Sequence, residues 1–350
     1  MADSKQLMAE VIAKGASDLH LNPGRPPTLR VNGGLQSLGD RPLSDADTEA
    51  LCRELCDERH WAELERVGTT DLGLAHPDGN RFRVNVMRQR GSFAAALRLI
   101  PNRLLSFEEI GLPEAVRPLL RRPRGLILVT GPTGSGKTTT LATMVDWINQ
   151  NLDRHIVTIE DPVEYFHGHK KGIVTQREVG SDVPDFPEAL RRALRQDPDV
   201  ILLGEMRDLA TISAAITAAE TGHLVLATLH TTGSARTVNR IIDAFPPEQQ
   251  EQIRAQLSVA LIAVVSQVLL PRKDGKGRVA AFEVMLMTPA IGNLVRKNET
   301  NKIQSTIQTS RKLGMNTLDD HLYELVQKGA ITKETALDAA QDPADLEVRL

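Results

Sequence analysis

Between residues 126 and 138 the chain reads Leu126-Ile127-Leu128-Val129-Thr130-Gly131-Pro132-Thr133-Gly134-Ser135-Gly136-Lys137-Thr138. The last eight residues satisfy the pattern GxxxxGK[ST], in which a glycine-rich turn lets backbone N–H groups point at phosphate oxygens. The apolar residues before this loop predict a buried strand, and the spacing of Leu141, Val145 and Ile148 predicts a helix after it. Strand, loop and helix together place phosphates at a helix N-terminus and predict a nucleoside triphosphate site.

ATP is the expected ligand, with Mg²⁺ as its counter-ion. Lys137 would reach the β- and γ-phosphate oxygens, and the hydroxyl of Thr138 would coordinate the metal. The residues expected to contact the nucleotide are Gly131, Pro132, Thr133, Gly134, Ser135, Gly136, Lys137, Thr138 and Thr139.

Composition limits the partners that this chain could bind. Its 350 residues, 41% of them hydrophobic, suggest two globular domains. A net charge of -3 and only 3% aromatic residues disfavour nucleic acid as a partner, because phosphate neutralisation needs positive charge and base stacking needs aromatic side chains. No apolar run is long enough to cross a bilayer, and the first residues do not resemble a signal peptide, so we expect a cytoplasmic protein. Cys52 and Cys56, four residues apart on one predicted helix face, are interpreted as reduced structural thiols.

Changes of pattern predict four regions. Residues 1–101 combine short alternating strands with helices and predict a small α/β domain, and 102–123 form a proline-bracketed linker with a short helical segment. In 124–289, buried strands alternate with helices, which predicts a mainly parallel sheet covered on both faces. Residues 290–350 predict a helical C-terminal region.

Acidic residues follow two predicted strands of the central domain. Because carboxyl ends of parallel strands meet at the edge where ligands bind, Glu205 and Glu164 are the candidate catalytic acids. We assign Glu205 to the metal shell, through water, and Glu164 to the role of general base. The alternatives are a solvated strand end for Glu205 and a helix- or turn-capping acid for Glu164.

Two histidines flank the strand predicted at 224–228. His230 follows the strand and falls at the expected phosphate edge, whereas His223 precedes it and falls at the far edge. In the N-terminal domain, Arg83 and Arg98 lie on successive predicted strands, where they are either solubilising side chains or groups that spread charge on a triphosphate.

Several blocks occur together in one order along the chain. One of them is Thr158-Ile159-Glu160-Asp161-Pro162-Val163-Glu164-Tyr165; the others are 131–138, 174–180, 193–208, 220–225 and 228–231. In these blocks the chain resembles the hexameric secretion ATPases of type IV pili and type II secretion, over nearly its whole length. The resemblance is greatest to the twitching-motility retraction ATPases of the PilT and PilU kind.

The resemblance implies a RecA-like ATPase domain behind a PAS-like N-terminal domain, with copies of the chain forming a homo-hexameric ring. It implies that the acid box contains Glu160, Asp161 and Glu164, that the histidine box is His223 and His230, and that Glu205 is the second-motif acid. It also implies that Arg83 and Arg98, with Arg81 as a further candidate, are the arginines supplied by the N-terminal domain.

The family resemblance also suggests a role. The absence of an extra N-terminal domain and of a four-cysteine insertion favours pilus retraction, with an inner-membrane platform protein as partner and peripheral association with that membrane. Gly292 departs from the family's retraction signature, which has arginine there, and residues 342–346 resemble the PilU kind, so an accessory retraction ATPase acting with a paralogue is the alternative. The phosphate loop by itself is also compatible with a nucleic-acid motor, or with a nucleotide-dependent scaffold that has little turnover.

Overall fold

The computed structural model describes residues 3–31, 33–100 and 103–350. They divide into two compact units. Unit 1 comprises the described residues up to Arg103 together with Pro162–Phe166, and unit 2 comprises Leu104–Asp161 and His167–Leu350. The segment Pro162–Phe166, which the sequence places inside the central domain, thus groups with the N-terminal residues instead.

Unit 1 is an antiparallel sheet with helices. Its strands follow the order β3-β2-β1-β6-β5-β4 across the sheet. The helices are α1 (Ser4–Ala13), α2 (Asp45–Leu55) and α3 (Glu58–Val67), and the strands are β1 (Asp18–Leu21), β2 (Thr28–Val31), β3 (Gly34–Ser37), β4 (Thr69–Ala75), β5 (Arg81–Gln89) and β6 (Ser92–Ile100). Alternate side chains of β5, namely Phe82, Val84 and Val86, are fully buried, which is the period-two pattern expected for one covered face.

Some details of this unit differ from the sequence-based expectation or escape it. Cys56 lies just past the end of α2 in extended backbone, so the two cysteines do not share a helix face. Burial raises the pKa of Cys52 to about 12 and that of Cys56 to about 11, which keeps both thiols protonated and unreactive. The sequence pattern also predicts a turn at 32–34 and a strand that ends at Pro101, and both Asn32 and Pro101 lie outside the described residues.

Unit 2 contains a seven-stranded sheet in the order β13-β12-β7-β11-β10-β8-β9. All neighbouring strands run parallel except β12 and β13, which form an antiparallel pair. The strands are β7 (Gly125–Thr130), β8 (His155–Glu160), β9 (Ile173–Glu178), β10 (Val200–Leu203), β11 (Leu224–Leu229), β12 (Leu261–Pro271) and β13 (Arg278–Leu286). The mainly parallel arrangement was predicted, whereas β9, β12 and β13 were not.

Helices cover both faces of this sheet, and a separate apolar cluster lies on each face. The helices are α4 (Phe107–Ile110), α5 (Lys137–Asn151), α6 (Phe186–Ala193), α7 (Leu209–Thr221), α8 (Ser234–Ile242), α9 (Gln250–Ala260), α10 (Pro289–Arg296), α11 (Ile303–Thr309), α12 (Leu318–Gln327), α13 (Lys333–Ala339) and α14 (Pro343–Arg349). Among the described residues, no helix has the length and apolar character needed to cross a bilayer.

The predicted linker is more ordered than a connecting segment needs to be. It contains α4 and a 3-10 helix at Glu114–Arg121. Phe107, Val116 and Leu120 are buried in the same apolar cluster as the side chains of β7 and α5. Most of this segment is therefore part of the core of unit 2.

Candidate nucleotide-binding site

The glycine-rich loop joins β7 to α5 at the carboxyl edge of the unit 2 sheet. Gly131 has a φ of 145°, and a Cβ atom there would lie 2.2 Å from the backbone oxygen of Gln267, so only glycine fits. Gly136, with a φ of 88°, is the residue at which the chain turns into α5. The loop thereby sets the first N–H groups of α5 at the edge where an anion would be bound.

Lys137 is held inside this loop. Its Nζ donates hydrogen bonds to the backbone oxygens of Gly131 and Pro132, at 2.9 and 3.0 Å. The residue is only 9% exposed, and burial lowers its pKa while the charge of Glu205 acts in the opposite direction. An ammonium group that is partly desolvated and held by two carbonyl groups can exchange them for phosphate oxygens with little rearrangement.

The side chain of Gln267, on β12, holds the loop and the start of α5 through two hydrogen bonds. Its side-chain Nε2 donates to the backbone oxygen of Ser135 at 2.6 Å, and its Oε1 accepts from Thr140 Oγ1 at 2.8 Å. The side chain is 2% exposed. Sequence reasoning missed this residue because it lies in an unpredicted strand, distant in sequence from the loop.

Two hydroxyl groups beside the loop indicate that it is built for a polar ligand. Thr130 Oγ1 and Ser135 Oγ are buried, and within the described part of the chain neither has a hydrogen-bond partner. Buried hydroxyl groups without partners are costly, so a bound polar group at the loop would stabilise both.

Glu205 lies at the same sheet edge, just after β10. Its Oε2 accepts an ion-paired hydrogen bond from Arg207 Nε at 2.6 Å, and His230 Nε2 lies 3.4 Å from the same oxygen. Thr228 Oγ1 donates to the backbone oxygen of Gly204 at 2.5 Å, which ties the end of β11 to the end of β10. The structure therefore brings together Glu205 and His230, and adds Arg207, to which the sequence pattern assigned no role.

The acid-box residues divide between the two units. Glu160 ends β8 and accepts hydrogen bonds at Oε1 from Thr158 Oγ1 and Gln176 Nε2, at 2.7 and 3.2 Å. Glu164 is half-buried and belongs to the segment that groups with unit 1. No helix begins between Glu164 and β9, a stretch that the structure describes throughout, so the helix-capping alternative for this residue is not observed.

His223 lies at the opposite edge of the sheet from the loop. Its backbone oxygen accepts from Gly125 N at the start of β7, and its Nδ1 lies 3.2 Å from the backbone oxygen of Ala218. The six residues of β11 separate it from His230, so the two histidines are about 23 Å apart along the strand at roughly 3.3 Å per residue. Within one chain, the structure does not bring His223 to the phosphate edge.

The candidate arginines of unit 1 occupy adjacent strands. Arg83 of β5 and Arg98 of β6 are directly opposite each other in the register, and both are exposed. Arg98 Nε donates to Asp18 Oδ1 at 2.9 Å. Arg81, by contrast, is 8% exposed, and its Cζ lies 4.0 Å from the centre of the Phe166 ring, so it is not an exposed finger.

A family profile matches almost the whole chain. The profile of the family described as "Type II/IV secretion system protein" matches residues 1–338. The chain belongs to this family. It is 48% identical over 341 residues to the type IV pilus retractation ATPase PilT of Pseudomonas aeruginosa, which covers 97% of this chain and 99% of that protein. It is 40% identical over 346 residues to the type IV pilus ATPase PilU of the same organism, covering 99% and 91%.

A solved structure agrees with this placement. The crystal structure of the pilus retraction motor PilT with bound ADP superimposes with a TM-score of 0.93 at 47% identity, and the match covers 100% of both chains. The predicted fold class and the predicted membership of the retraction ATPases are confirmed, and the chain is an ATPase of this family. The alternative that places it nearer to PilU is not favoured, because the identity to PilT is higher.

Proposed function

We propose that this chain is an ATP-driven motor that retracts type IV pili as a homo-hexameric ring. The observation that carries the proposal is the loop with Lys137 beside Glu205, in a chain that is 48% identical to PilT of Pseudomonas aeruginosa over nearly the full length of both. The ADP in the related PilT structure supports nucleotide as the ligand of this loop.

Different residues of unit 2 bind the triphosphate and the metal ion. The loop from Gly131 to Thr139 binds the triphosphate, and Lys137 exchanges its two carbonyl partners for phosphate oxygens. Thr138 and, through water, Glu205 would hold Mg²⁺, which neutralises charge on the phosphate oxygens when it is bound. A magnesium ion bound with nucleotide needs only one or two protein groups, so this small donor set fits it.

Hydrolysis adds groups to this site. Glu164 accepts a proton from the attacking water, and His230, held near Glu205, donates toward the terminal phosphate. Arg83 and Arg98 spread the charge that develops on the transferred group. His223 lies at the far edge of its own sheet, so we assign it no contact with the nucleotide bound by the same chain.

Mechanical work follows from differential binding. Bound triphosphate favours one conformation of the chain, and release of the products removes that preference. Sequential firing around a ring then drives an inner-membrane platform protein at the cytoplasmic face of the membrane, where the motor associates peripherally. A paralogous retraction ATPase is a further expected partner.

The test combines one assay in vitro with one in cells. Phosphate release should be abolished by Lys137→Ala and strongly reduced by Glu164→Gln and Glu205→Gln, and Glu164→Gln should still bind a fluorescent ATP analogue. Deletion of the gene should leave abundant pili that do not shorten, with no twitching. Loss of pili on deletion would contradict retraction, and undiminished hydrolysis by Glu164→Gln would refute its role as base.

The same assays distinguish the motor from its rivals. An accessory ATPase would release phosphate rapidly only when its paralogue is present. A scaffold would show no phosphate release above the level that the Lys137→Ala variant also shows. Strong, salt-sensitive stimulation by single-stranded DNA would instead indicate a nucleic-acid motor.

A further inference from the structure

The segment that carries Glu164 has an unusual place in the chain. It comes between β8 and β9, two neighbouring strands of the unit 2 sheet, yet Pro162–Phe166 groups with unit 1. The chain therefore passes between the units three times, at Arg103/Leu104, Asp161/Pro162 and Phe166/His167. Glu164 belongs to the same compact unit as the arginines of β5 and β6.

A stacking contact links this segment to the sheet of unit 1. The Arg81 guanidinium stacks over the Phe166 ring, with Cζ 4.0 Å from the ring centre. Arg81 is 8% exposed although it is an arginine on a strand, whereas Phe166, a large apolar side chain, is 55% exposed. A half-exposed phenylalanine contributes little by burial, so its contact with Arg81 accounts better for its position.

Arg81 is also linked to the catalytic arginine candidates. Arg81 and Arg83 are two residues apart on β5 and share a face of that strand, and Arg83 is opposite Arg98. Val163 and Tyr165, on either side of Glu164, are buried. Glu164 thus lies on a short, packed segment whose last residue is stacked on the strand that carries Arg83.

We propose that Arg81 and Phe166 are positioning residues, which fasten the Glu164 segment to unit 1 so that the general base moves together with Arg83 and Arg98. This inference rests on the proposed roles of those three residues. Its consequence is that Glu164, Arg83 and Arg98 belong to one compact unit and keep their mutual arrangement when that unit moves.

The test replaces the ring by Phe166→Leu and restores an aromatic face by Phe166→Tyr. Phe93→Leu is the matched control, since Phe93 also stacks with an arginine of unit 1, Arg88, but not with this segment. Amide hydrogen exchange of 163–166 reports the fastening, kcat reports catalysis, and titration with a fluorescent ADP analogue reports binding to unit 2.

For Phe166→Leu we expect faster exchange in 163–166 and a kcat lower by about tenfold, with ADP affinity unchanged, because tenfold corresponds to about 1.4 kcal/mol, a size that a partly desolvated cation–π contact can have. Phe166→Tyr and Phe93→Leu should keep kcat and exchange near the wild-type values. Unchanged exchange in Phe166→Leu would refute the claim that this contact holds the segment 163–166 on unit 1. Faster exchange with an unchanged kcat would refute the claim that the contact positions Glu164 for catalysis. If Glu164→Gln hydrolyses ATP normally, the proposed base is wrong, and exchange still decides the fastening separately.

Discussion

His167 should make the stability of unit 2 depend on pH. It is the first residue of unit 2 after Phe166, is 9% exposed, and donates its backbone N–H to Gln176 Oε1 at 2.8 Å. Burial lowers its pKa to about 4, with Lys170 acting in the same direction and Asp146 against it. The ammonium of Lys170 lies 2.5 Å from a carboxylate oxygen of Asp146, so that pair is satisfied without His167.

The sign and size of the effect follow from the pKa of His167 in the folded chain and its pKa in the unfolded chain. Above about pH 6.5 the imidazole is neutral in both the folded and the unfolded chain, and the contribution to stability is constant. Between about pH 6.5 and pH 4 the unfolded chain binds a proton that the folded chain excludes, so stability falls as pH falls. At about 1.36 kcal/mol per pKa unit, the loss between about pH 7.5 and pH 5.0 is ~2 kcal/mol.

The measurement is guanidinium unfolding followed by the fluorescence of Trp147, which lies on α5 of unit 2. The chain has two tryptophans, so a Trp61→Phe background leaves Trp147 as the sole reporter. His167→Gln removes the titrating group, and wild type should lose about 2 kcal/mol more than this variant between pH 7.5 and 5.0. Equal losses in the two proteins would refute the reasoning. Between about pH 7.5 and 8.5 the two should not diverge.

Three further predictions concern single contacts. Gln267→Leu removes the hydrogen-bond partner of the Ser135 backbone oxygen in the loop and of the Thr140 hydroxyl in α5, so affinity for a fluorescent ADP analogue should fall about tenfold, and an unchanged affinity would contradict the supporting role of Gln267. Asp18→Asn weakens the ion pair between the buried Asp18 carboxylate and the exposed Arg98 guanidinium, which is worth ~0.5 kcal/mol, so kcat/KM for ATP should rise about twofold if Arg98 acts on the triphosphate; a fall would argue that Asp18 orients Arg98 instead. Gly292→Ala should raise the thermal midpoint by about 2–4 °C, because alanine favours a helix by ~1 kcal/mol and the added Cβ meets nothing nearer than 3.4 Å; a lower midpoint would contradict this.

Much of unit 2 could be predicted because its signals are local. The apolar runs of β7, β10 and β11 are continuous, as expected for parallel strands buried on both faces, and the loop before α5 has a specific spacing. The position of Glu205 then followed from the direction of its strand. The strands β12 and β13 escaped prediction although Asp274-Gly275 between them is a hairpin signal, because the apolar run of β12 follows directly on the helical pattern that ends at Ala260.

Other features depend on residues that are distant in the chain. The burial of Arg81 could not be expected for an arginine on an alternating strand, and its contact with Phe166 joins two distant parts of the sequence. The place of His223 at the far edge did follow from strand direction alone, whereas its role in the family came only from resemblance.

The order of residues alone therefore determined the chemistry of the phosphate loop, since that chemistry needs a few residue types at close spacing along one turn. Tertiary structure decided which compact unit carries Glu164, the proposed general base. A segment of five residues has no fold preference of its own, and it joins whichever surface buries Val163 and Tyr165 and supplies a guanidinium for Phe166.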